Sequence, residues 1–116
     1  MSETDAPGTV DGWMDAIALA DLPDRRPLRV SVDGTDVLVI RSGEEVFAIG
    51  NRCPHQGAPL HRGPVRFSGS LRTVQCPVHG STFGLADGKV LRGPATHPVP
   101  AYQTRVADGM IQIRPA

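Results

Sequence analysis

Cys53-Pro54-His55-Gln56-Gly57 and Cys76-Pro77-Val78-His79-Gly80-Ser81 are the two stretches on which the reading of this chain turns. Each offers one soft thiolate and one borderline imidazole, with proline and glycine shaping the loop. They contain the chain's only two cysteines. Two Cys and two His suffice for a metal site. Structural zinc on these four residues is one reading. A disulfide between the cysteines is another, but it leaves both neighbouring histidines without a role.

Outward from these loops the sequence alternates as strands do. Val46-Phe47-Ala48-Ile49 reads as a strand that delivers the chain to Cys53, and Leu71 to Gln75 as one leading to Cys76. Leu28, Val30 and Val32, then Asp33-Gly34, then Val37 to Ile40 predict a hairpin, because Asp-Gly supplies the left-handed turn residues. Tyr102, Thr104 and Val106, then Asp108-Gly109, then Ile111 and Ile113 predict a closing hairpin. Trp13 to Leu19 is expected to be the first strand, with Trp13 as a core edge or lid. Phe83 to Gly88 reads as the way out of the second loop, with a short strand at Val90-Leu91. Arg62-Gly63-Pro64 and Ser68-Gly69-Ser70 punctuate what reads as an inserted surface bulge. No helical period of useful length occurs, so the expected class is all-β with short antiparallel strands. Residues 1–12 read as a flexible tail and 13–116 as one domain.

Composition agrees. A chain of 116 residues is one small domain, and 13 glycines with 11 prolines favour a loop-rich β architecture. A formal net charge of zero gives no case for nucleic acid or an anionic membrane as partner. No apolar run approaches a bilayer span. The polar N-terminus lacks an apolar signal core, and the twin Arg25-Arg26 is followed by Pro27 and a strand pattern, not an export signal. The expectation is a soluble, cytoplasmic protein whose compartment keeps Cys53 and Cys76 reduced.

The pairing of C-x-H with C-x-x-H resembles the Rieske iron–sulfur pattern, in which two histidines replace two cysteines on one iron of a [2Fe–2S] cluster. The likeness extends to Pro54 and Pro77 after the cysteines, Gly57 and Gly80 after the histidines, and Pro59-Leu60, Asp87-Gly88, Gly93-Pro94-Ala95 and Tyr102. It implies a Rieske-like antiparallel β sandwich with two cluster-binding loops at one end. Cys53 and Cys76 would hold one iron, and His55 and His79 the other. Ser81 matches a serine that donates to a cluster sulfur, and Pro94 lies in a segment like the proline loop that covers the cluster. Phe83 stands where respiratory Rieske proteins carry a tyrosine, which implies a reduction potential below theirs. One departure is that 20 residues separate His55 from Cys76, slightly more than is usual in the ferredoxin branch.

By this resemblance the chain is a one-electron carrier, not an enzyme. It would take electrons from a flavin-dependent reductase and pass them to a terminal oxygenase, working as a monomer. Nothing in the sequence resembles a mononuclear iron domain. The alternatives are a zinc-stabilised interaction module and a Rieske-type small subunit of a larger oxidoreductase. Against zinc stand the unusual Cys-x-His spacing and the lack of a zinc-finger helix. From Val46 to Ala86 there is no Asp or Glu, whereas Arg52, Arg62, Arg66 and Arg72 fall there. A partner docking at this end is therefore expected to be acidic. His61 reads as a surface histidine, and His97 has no assigned role.

Overall fold

Val37-Leu38-Val39-Ile40 is apolar at every position, and all four side chains are buried. An unbroken apolar run suits a strand covered on both faces. In the computed structural model, which describes residues 12–116, that is its situation. Val37 and Val39 face one core with Leu22, Ala48, Ile111 and Ile113. Leu38 and Ile40 face a second core with Ile49, Leu60, Val74 and Phe83.

The described residues form ten strands and two short 3₁₀ turns. Six strands make one antiparallel sheet: β1 (Met14–Ala18), β2 (Leu28–Val32), β3 (Thr35–Ser42), β4 (Glu45–Gly50), β9 (Ala101–Ala107) and β10 (Met110–Pro115), in the order β1-β10-β9-β4-β3-β2. Four make the second: β5 (Val65–Ser68), β6 (Leu71–Gln75), β7 (Thr82–Gly84) and β8 (Val90–Arg92), in chain order. The expected all-β antiparallel architecture is therefore observed. Both predicted Asp-Gly hairpins form. Asp33 and Gly34 have φ of 52° and 80°, and Asp108 and Gly109 have 52° and 77°, the pair of left-handed residues that a two-residue β turn requires.

Three expectations need correction or placing. The first strand ends at Ala18, and Leu19–Asp21 turns as a 3₁₀ helix. The segment read as an inserted bulge is in large part strand β5, paired with β6 from Val65↔Val74 to Ser68↔Leu71. Its apolar alternation, Val65 and Phe67 inward, is only two residues long and was masked by the flanking glycines. The expected N-terminal tail falls on residues 1–11, outside the described residues. Trp13 is buried, with the guanidinium groups of Arg105 and Arg114 each 4.5 Å from its ring centre. No helix is long and apolar enough to cross a membrane among the described residues.

Candidate metal centre

The two Cys-His loops are the same turn built twice. The Cys53 N–H donates to the Ala58 carbonyl at 2.9 Å, and the Cys76 N–H to the Ser81 carbonyl at 2.7 Å, each five residues on. Gly57 N–H returns to the Cys53 carbonyl at 2.6 Å and Gly80 N–H to the Cys76 carbonyl at 3.2 Å, each four residues on. Both glycines have positive φ, +77° and +81°, which a side chain would strain. Within this shared frame the histidine sits two residues after Cys53 but three after Cys76.

Loop one leaves β4, and loop two joins β6 to β7, at the same end of the molecule. They are fastened together at Gly63-Pro64, just after the 3₁₀ turn Leu60–Arg62. Gln75 N–H donates to the Pro64 carbonyl at 2.9 Å. Gly63 packs so close that an added Cβ would lie 1.7 Å from the Gln75 carbonyl oxygen.

This frame sorts the four predicted residues. Cys53 and Cys76 are free thiols, 1% and 4% exposed, in the core shared by the two sheets. His55 and His79 are exposed, edge to face, with ring centroids 5.1 Å apart. Burial pushes the Cys53 thiol above its ordinary pKa, the His55 and Gln56 backbone N–H groups oppose that, and the adjoining Cys76 sulfur adds to it. Two buried thiols side by side, with backbone donors aimed at one of them, suit a bound cation that displaces the proton. Among the described residues no three His, Cys, Asp or Glu side chains group to hold a single metal ion. A zinc site needs four donors about one centre. An inner thiol pair and an outer imidazole pair instead match a two-iron cluster, with soft donors on one iron and imidazoles on the other.

Ser81 is fully buried, and its hydroxyl oxygen accepts the Ala95 N–H at 2.9 Å. That bond uses an acceptor lone pair and leaves the hydroxyl proton available. Pro94, predicted to cover the site, is exposed in the same turn as Ala95. Phe83 is fully buried in the core that also holds both cysteines.

Asn51 is the site residue that sequence reasoning missed, and His61 was misread. Asn51 is 3% exposed. Its side-chain oxygen accepts the His61 N–H at 2.7 Å, and its amide nitrogen lies 2.9 Å from His61 Nδ1. Its backbone carbonyl accepts the Leu60 N–H at 2.8 Å. Asn51 thus closes loop one from behind. Because its amide donates, His61 Nδ1 is the acceptor and the ring is neutral. His61 is half-buried, and burial, then the Arg62 and Arg29 charges, lower its pKa against a raising contribution from Asp36. An asparagine two residues before a ligand loop carries no sequence signal of this, because its partner comes ten residues later through a turn. His97 is exposed, and its Nδ1 lies 3.1 Å from the Thr96 hydroxyl.

The chain matches the Rieske-like [2Fe-2S] domain family over residues 12–114. It is 35% identical over 98 residues to the ferredoxin subunit of the 3-phenylpropionate/cinnamic acid dioxygenase of Escherichia coli K12, covering 84% of this chain and 89% of that one. The structure is similar to the ferredoxin of carbazole 1,9a-dioxygenase from Nocardioides aromaticivorans IC177, with a TM-score of 0.80 and 31% identity over 91% of this chain and 100% of that one. It also resembles the nitrite reductase [NAD(P)H] small subunit of Erwinia carotovora, with a TM-score of 0.74 and 30% identity over 92% of this chain and 84% of that one. With nearly its whole described length matched, and with two buried thiols and two surface imidazoles where the fold brings its loops together, this chain belongs to the Rieske-like [2Fe-2S] domain family.

Proposed function

We propose that the protein is the ferredoxin component of a multicomponent oxygenase system, a one-electron carrier with no catalytic centre of its own. A flavin-dependent reductase would supply the electron and a terminal oxygenase would receive it, in the cytoplasm. The observation that carries this reading is the sorted donor set: paired thiols inside and paired imidazole rings outside. Cys53 and Cys76 would hold the inner iron, and His55 and His79 the outer one. The bound [2Fe–2S] cluster supplies a reversible one-electron couple. The chain's own residues do the rest. Burial of the thiols excludes water from the sulfur side. The exposed imidazoles bring the outer side to the surface, where a partner can approach. Pro54, Pro77 and Val78, neighbours of those histidines in the chain, are exposed, Val78 at 56%, and Pro94 is exposed in the turn held by Ser81. Ser81 would donate its free proton towards a cluster sulfur and steady the reduced, more negative state.

The likeness to a nitrite reductase small subunit supports a second reading, in which the chain serves inside a larger oxidoreductase. The presence of both thiols and both imidazoles favours the carrier. The test is direct. Purified protein should be reddish-brown, accept one electron from a flavin reductase and be reoxidised by an oxygenase of the same system. Colourless protein holding one zinc would sink both readings, and a coloured protein that no oxygenase reoxidises would favour the second.

A further inference from the structure

Apart from Arg26, which is exposed with no side-chain partner among the described residues, the arginines of this chain divide by position. Arg25, Arg29, Arg41, Arg72, Arg105 and Arg114 all hold side-chain partners. Arg52, Arg62, Arg66 and Arg92 are exposed, and their side chains have no hydrogen-bonded or ion-pair partner among the described residues. These four line two clefts, one beside each Cys-His loop.

The first cleft, of about 240 Å³, lies against loop one and is lined by Arg29, Asp36, Asn51, Arg52, His61 and Arg62 among others. Arg29 and Asp36 pair at 3.4 Å and offset each other's charge, and His61, whose Nδ1 accepts from the Asn51 amide, is neutral. The remaining positive charge is that of Arg52 and Arg62. The second cleft, of about 210 Å³, lies against loop two between Arg66 and Arg92, with Thr73, Gln75 and Thr82 on its floor. It is the outer face of the four-stranded sheet. The register sets Arg66 opposite Thr73, Gln75 opposite Thr82 and Thr82 opposite Arg92, while Val74 and Phe83 point into the core. Asp36, already paired with Arg29, is the one acidic residue that lines either cleft.

We propose that these clefts are a two-sided docking surface, in which carboxylate side chains of the electron-transfer partner enter on both flanks of the His55–His79 pair. Guanidinium groups recognise carboxylates through charge-assisted, often bidentate hydrogen bonds. Two separated anchor points fix orientation as well as contact, and so bring the imidazole pair squarely to the partner's redox centre. The partner's face is acidic on both sides of an apolar middle that meets Val78 and the loop prolines. The proposal rests on the electron-carrier reading.

Poly-L-glutamate serves as the probe, with the cluster-loaded protein. Wild type should bind it and not poly-L-lysine. The double variants Arg52→Gln/Arg62→Gln and Arg66→Gln/Arg92→Gln should each weaken binding about two- to thirty-fold, the range for two exposed ion pairs. Arg26→Gln, at the far end beside the β3–β4 turn, should change nothing. Three results would overturn the proposal: either double variant binding like wild type, Arg26→Gln weakening binding as much as they do, or inorganic phosphate displacing the polymer at equal charge concentration. The visible spectrum of each sample separates this from the carrier reading. Wild type without cluster absorption would sink that reading, whereas intact absorption with unaltered binding sinks the clefts alone.

Discussion

The hydroxyl oxygen of Ser81 accepts the backbone N–H of Ala95 at 2.9 Å, and both residues are buried. Through this bond loop two holds the Gly93–Ala95 turn against the site. Ser81→Ala leaves the Ala95 N–H without a partner, which costs about 1–3 kcal/mol. It also removes the donor proposed for a cluster sulfur, so the reduction potential should fall, with Ser81→Thr restoring much of it. Voltammetry and denaturant unfolding on both variants check this. A potential unmoved by Ser81→Ala would leave Ser81 with the structural role only.

Phe83→Tyr is expected to act in the opposite direction. Phe83 shares a core with Cys53 and Cys76, so a phenol there adds a donor in the wall of the site and should raise the potential. If its hydroxyl finds no acceptor, stability falls by roughly 1–3 kcal/mol while the potential stays put. Measuring both quantities on one sample distinguishes the two.

The equivalence of the two loops predicts matched responses. Gly57→Ala and Gly80→Ala each force a Cβ into a left-handed backbone, with the nearest atoms no closer than 3.2 Å. The strain alone costs about 1–2 kcal/mol in each case. Iron retention under chelator challenge should drop similarly in both. A loss confined to one variant would mean that the loops do not bear the metal jointly.

Gly63→Ala should be worse than either. Its Cβ would meet the Gln75 carbonyl oxygen at 1.7 Å and the Gln75 carbonyl carbon at 2.9 Å, which are backbone atoms that cannot rotate aside. Relieving the clash separates loop one from loop two. The expected destabilisation is about 3 kcal/mol or more, with cluster loss at ambient temperature. Near-normal unfolding with full iron content would refute the fastening role assigned to Gly63-Pro64.

His61 makes stability depend on pH. Its pKa is lowered in the fold, chiefly by burial and then by Arg62 and Arg29, with Asp36 opposing. The neutral ring is therefore the form that the fold favours. Its stabilisation is present above the ordinary histidine pKa and is lost as pH falls through the lowered value. Protonation places an N–H against the Asn51 amide and breaks that contact. Thermal unfolding of wild type should shift downward on mild acidification more than that of His61→Gln. Parallel curves for the two proteins would count against this.

The chain's sequence alone determined its class and the candidate donors proposed for the cluster. Asp33-Gly34 and Asp108-Gly109 announce their hairpins because left-handed turn residues are a local property. The two Cys-Pro…Gly stretches are legible for the same reason, since both their chemistry and their turn geometry lie within six residues. Strand β5 was not legible, because two inward residues between glycines make no period. Its pairing with β6 supplies what its own sequence lacks. Nor could the sequence tell that His61 belongs behind loop one, or that Asn51 is buried. Those facts depend on a turn folding back onto the end of β4, and a polar residue's burial is decided by partners distant in the chain. The same holds for the arginines. Their number is a matter of composition, but which are paired and which stand open beside the histidines is decided only when the two sheets bring both loops to one end.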